Sequence, residues 1–252
     1  MLLLAVLIIG FSDCHSQSLT SYYHNTWWGR ITLSDKISKK MKWEVYLQKR
    51  TQNDDEGRTN IFKHHQTSSY WLWLHYQTGE NTVVSVTPFC YFNTIGLFPQ
   101  AADVGNRGIK EFRWAVQIEH TENLKNFKFA NRYSIEYRYR DVVVADEFVP
   151  NYRIRYRAKL ERPLITKNHP LSIVVFDEIF LEFGKAVENS PAVFNQNRFY
   201  LGFNYTLTKN VKLNLGYMYL VQERGTGKAI DIGNAIWSTL IFENVFSQFK
   251  KK

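Results

Sequence analysis

The chain has 252 residues, with 32 Lys and Arg against 23 Asp and Glu, a formal net charge of +9, and 16% aromatic residues. Such a balance raises nucleic acid as a partner, but the cations stand singly between apolar residues and the one block is Lys250–Lys252, so that role is set aside. The cysteines are Cys14 and Cys90. A disulfide-stapled scaffold is excluded once Cys14 falls within a leader.

Residues 2–11, "LLLAVLIIGF", form an apolar run followed by "SDCHSQS". The run is shorter than the roughly 20 residues that span a bilayer and fits the core of a secretory signal peptide. The expected signal is 1–16, cut after Ser16, with 17–252 as a single domain. Asp13 stands where lipidation of Cys14 would want a small residue, so lipid anchoring is not expected.

From there the chain alternates with a period of two, which a strand repeats and a helix does not. Strand-like runs fall at about 22–34, 41–51, 66–77, 82–93, 111–121, 127–140, 151–161, 171–183, 196–207, 211–223 and 230–243. "KWEVYLQKR" sets Trp43, Val45 and Leu47 against Lys42, Glu44, Gln48 and Arg50. "EFRWAVQIEH" sets Phe112, Trp114, Val116 and Ile118 against Glu111, Arg113, Gln117 and Glu119. In "RYSIEYRYR", Arg132, Ser134, Glu136, Arg138 and Arg140 oppose Tyr133, Ile135, Tyr137 and Tyr139. "NYRIRYRAKLE" sets Arg153, Arg155, Arg157, Lys159 and Glu161 against Tyr152, Ile154, Tyr156, Ala158 and Leu160. "NRFYLGFNYTL" repeats the pattern with Phe199, Leu201, Phe203 and Tyr205 against Arg198, Gly202 and Asn204. Two runs, "YWLWLHY" and "SIVVFDEIFLEF", are apolar on both faces, and Asp177 falls on the face that elsewhere is apolar.

The connections alternate between short polar turns such as "TGEN" and "TKN" and mostly longer loops such as "NTIGLFPQAADVGNRGIK". Strands of about eleven residues, tilted near 45°, cover roughly 25 Å of bilayer. The fold class expected is all-β: an antiparallel transmembrane β-barrel with short periplasmic turns and longer extracellular loops. Bacterial barrels carry even strand numbers, so eleven runs point to about 12 strands (10–12), the missing one nearest the N-terminus.

On that reading Arg113, Glu119, Arg132, Glu136, Arg138, Arg153, Arg155, Arg157, Glu178 and Arg198 line the lumen, and Trp114, Ile135, Tyr156 and Phe203 face lipid. A buried charge persists when it is paired, so the mixed acids and bases predict a salt-bridged interior, with a narrow anion-preferring pore as the functional extreme. No catalytic residue, metal site or cofactor is expected. The expected partners are outer-membrane lipids and small anionic solutes, with no nucleic acid, and the expected state is a monomer.

Two alternatives stay open. A membrane-embedded lipid hydrolase would need a serine activated by a histidine, and His64 and His65 stand near Ser68 and Ser69 without a motif; His24, His75, His120 and His169 are scattered singly. A secreted soluble β-sandwich or ligand-binding barrel would put the tyrosine faces inward. "NDDEG" at 53–57 lacks the spaced ligands of a calcium loop.

The chain resembles the outer-membrane barrel family called domain of unknown function 2490, frequent in Bacteroidetes-type bacteria. The resemblance rests on "WWGRITLSDKISKKMKWEVYLQKR", "EFRW", "NRYSIEYRYR", "RIRYRAKLERPL", "FDEIFLEF" and "NRFYLGFNYTLTKNVKLNLGYM". It implies a barrel in the cell outer membrane, which the chain would reach through the signal expected at 1–16, and no established reaction or ligand.

Overall fold

The computed structural model describes residues 19–54, 59–97, 108–142, 147–187, 190, 193–224 and 227–249. The expected signal peptide, Cys14, the lysine block and most of "NDDEG" lie outside them.

Eleven strands follow one another: β1 (Thr20–Lys36), β2 (Met41–Gln52), β3 (His64–Gln77), β4 (Thr82–Thr94), β5 (Ile109–Asn123), β6 (Lys128–Val142), β7 (Glu147–Ile165), β8 (Leu171–Phe183), β9 (Phe194–Thr208), β10 (Val211–Glu223) and β11 (Ala229–Glu243). Each pairs with its sequence neighbours, and β1 pairs with β11 to close the barrel. Closure leaves no sheet edge exposed.

The expectation of twelve strands, and of a wholly antiparallel sheet, is corrected. The described residues form eleven strands, and the seam is a parallel ladder from Thr20↔Ala229 to Ser34↔Glu243. An odd count makes the first and last strands run the same way, so only parallel pairing can join them. The seam is as extensive as any antiparallel hairpin, so a twelfth strand is not needed to satisfy β1. The odd count also separates the two ends of the barrel chain. Thr20 donates its amide to the Lys228 carbonyl at the long-loop end, whereas Val245 donates to Ser34 at the short-turn end.

The short turns lie at 37–40, 78–81, 124–127, 166–170 and 209–210, all at one end. At the other end the strand ends are separated by mostly longer stretches of sequence, between β2 and β3, β4 and β5, β6 and β7, β8 and β9, and β10 and β11. β7 starts earlier than expected, because residues 147–150 extend it and pair with β6 from Tyr139 to Val142.

Side chains alternate as a strand requires apart from several register shifts, and the sequence explains the one in β4. Pro88 has no N–H to give a ladder and sits within β4, where strands tolerate proline only at bulges or edges. The register slips between Thr87 and Tyr91, and the Thr87 hydroxyl bridges the break by donating to the carbonyls of Leu72 (2.6 Å) and Phe89 (2.9 Å). The extra residue inverts the phase: Ser85 and Thr87 are buried before it, Cys90 and Phe92 after it.

Candidate functional site

The interior has two halves, and the ionic one is built by β5 to β8. Register alone would be repulsive there, since Arg113 lies opposite Arg138 and Arg132 opposite Arg157. Acids set diagonally remove the conflict. Glu111 receives Arg138 as a bidentate fork at 2.8 and 2.7 Å and Arg113 at 2.6 Å. Glu136, with no exposed surface, meets Arg113 at 3.2 Å, Arg153 at 2.6 Å and Arg155 at 2.5 Å. Glu178 joins Arg132 at 2.6 Å to Arg155 at 2.8 Å, and Glu182 joins Arg138 at 2.5 Å to Arg140 at 3.0 Å while accepting from Asn151. Glu119, nearer the turn end, takes Arg157 at 2.7 Å.

The other half is aromatic. Trp28, Val174, Phe176, Tyr200, Met218, Leu220 and Ala235 form one buried cluster, and Tyr46, Trp71, Trp73, Cys90, Phe92 and Ala115 form a second. Tyr200 lies flat over two glycines that face each other across β9 and β10: a Cβ at Gly202 or Gly216 would meet its ring or hydroxyl at 2.2–2.5 Å. Guanidiniums cover the rings. Arg113 sits 4.0 Å from the Phe92 centroid, Arg50 3.5 Å from Trp28, and Arg198 4.5 Å from Phe180. Interior charge and interior aromatics are thus in contact, an arrangement worth about 2 kcal/mol per desolvated pair.

All ten residues expected in the lumen point inward; nine join the ion-pair network, and Arg198, with Glu178 opposite it in register, rests on rings and forms no ion pair with a described residue. Glu111, Arg140, Asn151 and Glu182 also belong to the network, although the sequence reading did not select them. Their signal was present: Glu182 keeps the phase of Glu178, and Val174, Phe176 and Phe180 share that buried face. On the outer wall, Trp114, Ile135 and Phe203 are exposed at 45%, 61% and 46%, and Tyr156 is half-buried with its hydroxyl donating to Asn131. Asp177 also faces outward, with no bulge to turn it in, and accepts from Asn197 at 3.0 Å.

The described histidines are dispersed along the wall. His65 and Ser68 are 3.5 Å apart on the outer side, too long for an activating bond, and Ser69 is buried on the opposite face. His75 meets the Ser85 hydroxyl at 2.7 Å at the turn end. His24, one of the singly scattered histidines, is buried against Asp231 at 2.8 Å, which also holds Arg224 at 2.9 Å. Among the described residues no three His, Cys, Asp or Glu side chains are grouped as a metal site. Cys90 is free and buried.

No curated protein matches the chain. Among solved structures, the beta domain of the Bordetella autotransporter BrkA aligns at 12% identity with a TM-score of 0.44, over 78% of this chain and 81% of that one. The siderophore receptor PirA from Pseudomonas aeruginosa aligns at 13% identity and 0.31, over 75% of this chain and 32% of that one. Residues 25–231 match the family model described as protein of unknown function (DUF2490), and the chain belongs to that family.

Proposed function

We propose that the protein is an integral outer-membrane barrel whose interior is closed by paired charges and stacked rings, a structural barrel with at most a narrow, anion-preferring path. The observation that carries this reading is the inverted polarity of the wall. Glu136, Arg138 and Arg153 are buried inside, while Tyr133, Ile135, Val116, Leu201, Phe203 and Leu215 stand exposed outside. A water-soluble barrel gains from the reverse arrangement; a lipid-facing wall gains from this one. Rings also pair across neighbouring strands on the outer wall, as with Tyr133 and Tyr156 at 5.0 Å and Tyr137 and Tyr152 at 5.3 Å.

Fractionation of cells expressing the full chain tests the location. The protein should pellet with outer membranes, need detergent for release, and migrate faster in gels before boiling than after. Recovery in a soluble fraction without detergent would overturn the reading. Lipids are then its immediate partners and a monomer its expected state.

A further inference from the structure

The interior donates more hydrogen bonds than it accepts in one sector. In the ionic network seven guanidiniums (Arg113, Arg132, Arg138, Arg140, Arg153, Arg155 and Arg157) share five carboxylates (Glu111, Glu119, Glu136, Glu178 and Glu182). Arg30, Arg50 and Arg198 add three inward cations that form no ion pair with any described residue. They surround one pair of indoles: Arg50 and Arg198 lie 3.5 and 4.9 Å from the Trp28 ring, Arg30 lies 5.0 Å from Trp237, and the two indoles are 5.7 Å apart.

N–H donors predominate among the orphaned atoms in this sector, although the buried Ser69 hydroxyl opposite Gln48 is unpartnered too. Nε of Arg30, Arg50 and Arg198, Nε1 of Trp28 and Trp237, and Nε2 of Gln48 are all buried without a hydrogen-bond partner, and each is an N–H donor. The Gln48 oxygen is already taken by Arg50 at 3.1 Å. Aromatic faces lower the cost of these cations but accept no hydrogen bond of ordinary strength and carry no net charge. Each of the three arginines keeps part of its surface accessible as a whole residue, while its Nε is buried.

We infer that Arg30, Arg50 and Arg198, with the Trp28 and Trp237 indoles, form an internal site for a small oxyanion of the phosphate or sulfate class. Planar guanidinium forks match such oxygens two at a time, which a spherical halide cannot use. The inference deepens the closed-barrel reading and rests on it only for the charge-filled interior.

Tryptophan fluorescence of the folded, purified chain reads the site directly, because Trp28 and Trp237 form its wall. Titration with inorganic phosphate or sodium sulfate should give a saturable change that sodium chloride at equal ionic strength does not. Arg50→Gln and Arg198→Gln should each weaken binding at least about 10-fold, the loss of one charged hydrogen bond. Arg162→Gln, outside the sector, should bind as the parent does. If Arg50→Gln fails to fold, Arg198→Lys, which keeps the charge and loses the fork, should still weaken binding. An equal response to chloride, or equal weakening by Arg162→Gln, would reduce the effect to screening and overturn the site. The titration runs equally on detergent-free protein, so failure of the membrane reading and failure of the site give separate results.

Discussion

Glu136 is the most demanding position in the barrel, and its neutralisation measures what holds the ionic half together. Its carboxylate has no exposed surface and faces Arg113, Arg153 and Arg155 at 3.2, 2.6 and 2.5 Å. Glu136→Gln keeps the volume but leaves three guanidiniums converging on a neutral amide. Glu111 and Glu178 cannot compensate, since both already bind other arginines. Removing one partner of a buried ion pair costs about 3–5 kcal/mol, and the expected loss lies at the upper end of that range because the amide N–H groups add donors where only donors are present. Glu119→Gln is the internal comparison. That carboxylate has a single partner and a side chain 27% exposed, so its loss should stay near 1 kcal/mol. Denaturant unfolding in micelles, followed by tryptophan fluorescence, gives both values. The double variant Glu136→Gln with Arg153→Met should recover part of the loss, because one of the stranded cations leaves with its acid. Equal losses at Glu136 and Glu119, or no recovery in the double variant, would refute the network argument.

Gly216→Ala should destabilise the barrel by about 1–3 kcal/mol, because its Cβ would stand 2.5 Å from the Tyr200 ring and 2.6 Å from the Leu201 carbonyl; Gly79→Ala, which meets nothing within 4 Å, should be neutral in the same unfolding assay. Ile135→Arg, at the middle of β6 on the outer wall, should cost about 2–4 kcal/mol when folding is measured into lipid vesicles. Protease sites placed just before Thr20 and just after Glu243 should lie on opposite sides of the membrane, so that one is cut on intact cells and the other only after lysis; cutting of both from outside would rule out the parallel seam.

How much of this was legible in the sequence depends on which dimension is asked for. The period of two in "RYSIEYRYR" and "RIRYRAKLE" assigns faces, and every arginine selected there points inward. Partnership was not legible, because it depends on strand stagger. Arg138 reaches past β7 to Glu182, and Arg157 reaches past β6 to Glu119; nothing in an alternation pattern gives the height of a residue in the wall. The aromatic half was hidden for another reason. Trp71 and Trp73 lie inside while Tyr70 and Tyr76 lie outside, so a strand buried in rings on one face and exposing rings on the other has no amphipathic signal. Parity failed as a rule because it is a regularity of one class of barrels, whereas backbone hydrogen bonding requires only that β1 and β11 be paired by some ladder.

The division into halves also locates the weakest boundary inside the barrel. Within the ionic half the contacts are charged hydrogen bonds, and within the aromatic half they are stacked rings. Between them the links are cation–π contacts, chiefly Arg113 on Phe92 at 4.0 Å and on Trp71 at 5.3 Å. Each is worth about 0.5–2 kcal/mol, less than breaking a buried ion pair. An ion path through the closed barrel should therefore open along this boundary rather than through the ionic half. Phe92→Ala removes the ring beneath Arg113 while leaving its bonds to Glu111 and Glu136 intact, so the path so created is walled by a guanidinium on one side. In planar bilayers the unaltered protein should show no large stable conductance. Phe92→Ala should show discrete openings that favour anions, and Phe92→Ala combined with Arg113→Gln should keep the openings and lose the preference. Cation-preferring openings in the single variant, or none, would place the boundary elsewhere.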